Sequence, residues 1–190
     1  MSLSAAAGGG RWVAGEMRPV RSTVAFANPW MQVRSDDFVR EDGSGGTYGV
    51  VDKPDFALVV AEQDGLFHLV EQFRYPIRRR SLEFPMGGWP PGKGGTALEL
   101  AQAELAEETG LTATGWRHLG RLYEAPGFCS QGFDVFHATG LTPGPHAREE
   151  TEADMEHRAV DEGELRRLIR SGGIVDATTI TAYGLLLLER

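Results

Sequence analysis

The spacing of apolar positions shifts from strand-like to helical and back along the chain. Between Trp12 and about Val51, short apolar stretches such as Val24-Ala25-Phe26 and Trp30-Met31-Gln32-Val33 flank a turn at Asp42-Gly43-Ser44-Gly45-Gly46, which predicts hairpin strands. Phe56-Ala57-Leu58-Val59-Val60 and Leu66-Phe67-His68-Leu69-Val70 are continuous apolar runs separated by Glu62-Gln63-Asp64-Gly65, the pattern of a buried antiparallel pair. Ser81-Leu82-Glu83-Phe84-Pro85 reads as extended. It leads into a stretch holding Gly87, Gly88, Pro90, Pro91, Gly92, Gly94 and Gly95, whose composition argues against regular structure. From Thr96 the period becomes helical: Leu98, Ala101 and Leu105 recur at i, i+3 and i+7, and Gly110 is a natural C-terminal stop. Residues 118–123 and 133–137 read as strands, with Pro126-Gly127-Phe128 as the turn between them. Residues 141–154, rich in proline and acid, read as a loop before a strand at 155–160. Two amphipathic helices, 162–170 and 178–188, close the chain, and no segment repeats another.

Composition narrows what such a chain does. Its 190 residues suit one compact domain with an N-terminal extension: a tail at 1–10 expected to be disordered, strands at 11–51, and the main domain at 52–190. A net charge of −8, from 27 acidic against 19 basic residues, supplies no broad basic face for a nucleic-acid backbone. A small anionic substrate therefore calls for a metal or a few well-placed arginines. The single cysteine, Cys129, excludes an intrachain disulfide and fits a reducing compartment, the cytoplasm by default. The longest aliphatic run, 185–188, is far too short to span a bilayer, so no membrane role is expected.

The chemistry concentrates in Glu104-Leu105-Ala106-Glu107-Glu108-Thr109-Gly110-Leu111. At 100° per residue, Glu104, Glu107 and Glu108 fall within a sector of about 100°. Carboxylates this close repel unless a cation lies between them, an arrangement suited to Mg²⁺ or Mn²⁺, which prefer oxygen ligands. A solvated acidic face is the plain alternative for the run taken alone. Its context decides between them: residues 103–111 match the Nudix box ending, Arg-Glu-apolar-x-Glu-Glu-x-Gly-apolar, at every position but the first. Glu83-Phe84-Pro85-Met86-Gly87 resembles the lead-in to that box in the ADP-ribose pyrophosphatase branch, and Gln72-Phe73-Arg74-Tyr75-Pro76 resembles the strand end before it. Pro126, sixteen residues after Gly110, resembles a proline at the same spacing in that branch. The resemblance covers roughly residues 50–175 and more weakly the strands before them.

That resemblance implies an α/β fold, a Nudix-type α/β/α sandwich around a mixed sheet, with the N-terminal antiparallel strands as an appended sheet that serves a homodimer. It implies hydrolysis of a diphosphate linkage in a nucleoside diphosphate derivative, with ADP-ribose as leading substrate and another nucleotide sugar or a dinucleotide as alternatives. Glu104 and Glu108, with the main-chain carbonyl of Met86, would hold the metal, and Glu107 would share the site. A loop glutamate would orient the water: Glu149, Glu150, Glu152 and Asp154 lie in the right region, and Glu152 is the choice. Arg74 offers a planar fork suited to phosphate or ribose, although an exposed strand end accounts for it equally. Trp30 and Phe128 are candidate stacking surfaces for a base, or core. Arg78, Arg79 and Arg80 would draw in an anion or balance the acidic helix.

Two positions depart from the family pattern. Ala103 replaces the arginine before the first helix glutamate, and Lys93 replaces a loop glutamate, in a loop about two residues longer than usual. If those family residues form an ion pair, both members are lost together, which is less damaging than stranding one charge. The departure also leaves open a nucleotide-binding domain without turnover. Gly87-Gly88-Trp89-Pro90-Pro91-Gly92-Lys93-Gly94 approaches a P-loop but fails it, because Gly94 lacks the hydroxyl that would ligate magnesium and the prolines remove amide donors.

Overall fold

The computed structural model describes residues 13–144 and 154–190, which fall into two compact units. The expected tail at 1–10 lies outside the described residues, as do Glu149, Glu150 and Glu152.

The first unit holds residues 13–54 and 125–131. Its strands β1 (Arg18–Ala27), β2 (Gln32–Val39) and β3 (Gly45–Asp52) form an antiparallel meander. Both turns close on side chains that mimic backbone. Asn28 accepts the amides of Trp30 and Met31, and Asp42 accepts that of Ser44 beside Gly43 at φ +80°. Residues 125–131 join this unit through Val51, whose amide donates to Phe128 and whose carbonyl accepts from the Ser130 amide. Trp30 and Phe128 both belong to this unit, 66% and 57% exposed, so neither is core.

The second unit is a seven-stranded mixed sheet with main order β10-β5-β4-β9-β8. Its strands are β4 (Phe56–Gln63), β5 (Leu66–Arg74), β6 (Arg79–Glu83), β7 (Met86–Gly87), β8 (Leu111–Tyr123), β9 (Gly132–Pro143) and β10 (Glu156–Asp161). β4 runs parallel to β9, and every other pairing is antiparallel. A continuous apolar run suits β4 because it is covered on both faces: Ala57 to Ala61 are all fully buried. Asp64 and Gly65, at φ +52° and +76°, make the tight turn into β5 that Asp-Gly favours. β4 and β5 stay paired only from Ala61↔His68 to Gln63↔Leu66 before they diverge. Into the gap runs the segment 79–87, pairing first with β5 as β6 and then with β4 as β7.

Helix α1 (Ala97–Thr109) packs Leu100, Ala101 and Leu105 against Ala57, Val59, Ala61, Phe136 and Ala138 on one sheet face. Helices α2 (Glu162–Ser171) and α3 (Ala177–Leu188) bury Leu165, Leu168, Ala182, Tyr183 and Leu186 against Leu58, Val60, Phe67 and Leu69 on the other. The result is the expected α/β/α sandwich. Three local expectations need correction. Met86–Gly87 is a short strand rather than loop, because the gap between β4 and β5 offers it β4's backbone partners. Residues 141–143 continue β9 instead of beginning a loop, held by Leu111↔Pro143. The apolar stripe of α1 runs through Leu100, while Leu98 is 37% exposed.

Candidate active site

α1 begins with a complete capping box: Thr96 Oγ1 accepts from the Glu99 amide, and Glu99 Oε2 accepts from the Thr96 amide at 2.7 Å. It ends on Gly110 at φ +69°. Between these caps the inward side reads Ala97, Leu100, Ala101, Glu104, Leu105, Glu108, Thr109, the i, i+3, i+4, i+7, i+8 spacing of a core-facing helix. Two of its positions are glutamates, Glu104 8% and Glu108 2% exposed. The carboxylates therefore occupy the stripe that packing alone would fill with leucine, rather than a separate polar face. Glu107 sits at the stripe's half-buried edge.

Opposite this stripe is the inserted segment. The Met86 amide donates to Glu108 Oε2 at 2.9 Å. A Cβ added at Gly87 would lie 2.5 Å from Glu104 Oε2 and 2.6 Å from its Cδ, so the Glu104 carboxylate fills the space a side chain would take. The turn before β7 is fixed from the other face of the sheet. Thr179, fully buried in the first turn of α3, accepts the Phe84 amide at 3.0 Å, and Thr178 Oγ1 lies 3.4 Å from Met86 Sδ. The Pro85 carbonyl accepts from the Val59 amide at 2.9 Å. Two buried carboxylates thus meet a clamped strand at the centre of the sheet, an oxygen-rich set matched to a hard divalent cation. Among the described residues no three His, Cys, Asp or Glu side chains converge into a metal-holding group. The expected trio is therefore a buried pair with Glu107 beside it.

Residues 17–51 match a family described as the nucleoside diphosphate sugar hydrolase N-terminal domain. The chain is 36% identical over 131 residues to an ADP-ribose pyrophosphatase of Mycobacterium tuberculosis, covering 65% of this chain and 60% of that protein's length. It is 29% identical over 176 residues to an ADP-ribose pyrophosphatase of Bacillus subtilis, covering 92% of this chain and 94% of the relative. A crystal structure of an ADP compounds hydrolase superposes with a TM-score of 0.79 at 20% identity, covering 90% of this chain and 92% of the other, a likeness of fold. The chain is thus similar to ADP-ribose pyrophosphatases, the branch that its acidic-helix motif resembles.

The remaining candidates are placed as follows. Arg74, the last residue of β5, directs its Nε to Glu83 Oε1 and Oε2 at 3.0 and 3.1 Å, and its Nη2 also donates to Glu83. Glu83 is 3% exposed. Burial works against the Arg74 charge, but the hydrogen bond and attraction of Glu83, with the fields of Glu108 and Asp176, outweigh it and raise its pKa above the usual arginine value. Arg74 is thus the counter-ion of a buried glutamate, with its own side chain still 38% exposed. Arg80 pairs with Glu71 at 2.9 Å and Asp154 at 3.2 Å, and Arg79 reaches the Gly172 carbonyl. Lys93 lies over the Trp89 ring, Nζ 4.8 Å from its centroid, and Glu99 is committed to the helix cap.

Sequence reasoning missed Glu83, Thr178 and Thr179 as parts of the site's support. Glu83 carried a signal, a charged residue between Leu82 and Phe84 three positions before Met86. The threonines carried none, because their role depends on how α3 packs behind the sheet.

Proposed function

We propose that this protein is a metal-dependent pyrophosphohydrolase of nucleoside diphosphate derivatives, with ADP-ribose the leading substrate. One observation carries the reading: Glu104 and Glu108 are buried on the core-facing stripe of α1, against a strand whose Gly87 has ceded its side-chain space to a carboxylate. Burying two anions is costly unless a cation answers them, so a helix built for packing alone would not carry them there. Glu104 and Glu108, with the Met86 carbonyl and Glu107 at the edge, would hold Mg²⁺ or Mn²⁺. The metal would polarise the bridging phosphates and neutralise charge developing on them. Glu152 would orient the attacking water. The names of these relatives, ADP-ribose pyrophosphatases, favour an ADP-ribose-like substrate. The same resemblance favours a homodimer formed through β1 to β3, where Val20, Val24 and Phe26 are more than half exposed; light scattering at micromolar concentration tests this, and a monomer removes it.

A second reading, a nucleotide-binding domain without turnover, draws on Ala103 and on Lys93 turned onto Trp89. A panel of nucleoside diphosphate compounds, assayed with Mg²⁺ by phosphatase-coupled phosphate release, separates the two. Turnover of any member supports the enzyme. Binding without turnover across the panel supports the second reading.

A further inference from the structure

β5 and the edge strand β10 bring two histidines into contact. His68 lies opposite Ala61 on one side and Ala159 on the other, and His157 lies opposite Val70. Paired residues share a sheet face, and Ala61 packs in the layer beneath α1, so both imidazoles stand on the α1 side, diagonal to each other across the two strands. His68 Nδ1 and His157 Nε2 are 2.9 Å apart, and the rings are parallel to within 13° with centroids 5.1 Å apart. With the centroids so far apart, the two nitrogens lie between the rings and face each other across one shared proton. Exchanging that proton for a metal ion leaves both nitrogens as donors, the form in which histidine is the commonest metal ligand.

The spacing selects the ion. Imidazole nitrogens bind first-row ions at about 2.0–2.1 Å. Two of them 2.9 Å apart then subtend about 90° at the ion, whereas a tetrahedral angle would hold them about 3.3–3.4 Å apart. A right angle belongs to neighbouring positions of a square-planar or tetragonal ion, the geometry of Cu²⁺ and Ni²⁺ rather than of structural Zn²⁺. We propose that His68 and His157 form a two-nitrogen site for Cu²⁺ or Ni²⁺ that joins β10 to β5. The ion sits off the line between the nitrogens, reached by a small rotation of the exposed His157 ring against the half-buried His68. Among the described residues no third His, Cys, Asp or Glu converges with the pair, so water completes the coordination. Imidazole is a poor match for Mg²⁺, which prefers oxygen, so the site is chemically separate from the carboxylates of α1 and does not depend on the hydrolase reading.

The test is Ni²⁺ titration calorimetry on protein without an affinity tag, in saturating Mg²⁺ so that carboxylate sites are masked. One Ni²⁺ should bind per chain, and His68→Asn and His157→Asn should each weaken it by at least about tenfold, since loss of a ligand costs no less than loss of a group that merely orients one. Saturating Ni²⁺ should also raise the melting temperature of wild type and leave both variants unmoved, because an ion that binds only the folded pair stabilises by mass action. With one equivalent of Cu²⁺, electron paramagnetic resonance should show coupling to two imidazole nitrogens that disappears in the double variant. His157→Asn changes an exposed side chain, so it carries the test alone if His68→Asn folds poorly. His118→Asn is the control and should keep wild-type affinity. Absence of Ni²⁺ binding, binding that survives both substitutions, or binding lost in His118→Asn overturns the site. Tighter binding of Zn²⁺ than of Ni²⁺ overturns the right-angled geometry.

Discussion

Replacing Gly87 by alanine moves one carboxylate and little else. Gly87 is extended in β7 and its φ is not positive, so alanine fits the backbone without strain. The added methyl would lie 2.5 Å from Glu104 Oε2, against 3.4 Å or more in ordinary contact, so the carboxylate must retreat by about 1 Å. Glu104 has no easy exit, being 8% exposed between α1 and the sheet. Misplacing a reacting or ligating group by about 1 Å costs on the order of a hundredfold in rate. Overpacking costs about 1–3 kcal/mol, and the loss of glycine's freedom in the unfolded chain offsets about 0.4–1 kcal/mol. The net of about 1–2 kcal/mol lowers the melting temperature by about 2–8 °C for a chain of this size. The assay pairs kcat/KM in Mg²⁺ with Mn²⁺ titration and thermal melting. Gly94→Ala is the control, since its methyl would meet nothing within 4 Å. If Gly87→Ala keeps kcat/KM and Mn²⁺ affinity within about threefold of wild type, Glu104 at this position does not ligate the metal, and the argument fails.

Glu108→Gln should cut turnover by about a hundredfold or more, while the melting temperature of the metal-free protein stays level or rises, because a buried like-charge neighbour of Glu104 is removed; turnover within about threefold of wild type rules Glu108 out as an essential ligand. Thr179→Val strands the buried Phe84 amide and should cost about 1–3 kcal/mol, lowering the melting temperature by about 2–12 °C; no change in a melting scan would mean that the Thr179 clamp contributes nothing. Burial lowers the pKa of His68, and burial also lowers that of His137 despite the opposing Glu62 carboxylate. Below the ordinary value of 6.5 the unfolded chain therefore binds more protons than the native one. Stability from these two histidines is complete above pH 6.5 and falls as pH drops toward their native values. Melting temperatures between about pH 7.5 and about pH 5.5 should decline in wild type and decline less in a His68→Asn, His137→Asn double variant; parallel declines would assign the loss to other groups.

The elements legible in the sequence were those whose signal is local. Asp64-Gly65 announced a tight turn, the helical period announced a helix from about Thr96, and Gly110 announced its end; each is where expected. The two glutamates of the box could be named from the motif, but their burial could not, because the sequence places Leu98 and Leu100 on equal terms and only the sheet decides which turns inward. The same limit hid the site's supports. Met86–Gly87 looked like loop because its strand partners, Leu58 and Ala57, lie 28 and 30 residues earlier. The partner of Arg74 was hidden because Glu83 is brought to it by the β5–β6 register rather than by proximity in the chain. The acids at 149, 150 and 152 lie outside the described residues, so the choice among them rests on the sequence alone.

The parallel pairing of β4 with β9 has a consequence for how the chain comes to be folded. Asp55, just before β4, accepts the Gly132 amide across 77 residues, and the ladder from Phe56↔Phe133 to Ala61↔Ala138 follows from there. Closing so wide a loop costs little extra free energy, since each doubling of length adds only about 0.6 kcal/mol, but it delays native pairing. A chain made N-terminus first at about 5–20 residues per second completes β4 about 4–15 s before β9 is available. During that interval the most apolar strand of the protein has an open edge, and α1 has only part of the sheet beneath Leu100 and Leu105. Substitutions that slow the arrival of β9, even far from Glu104 and Glu108, will therefore be felt first as lost soluble yield during synthesis rather than as altered catalysis.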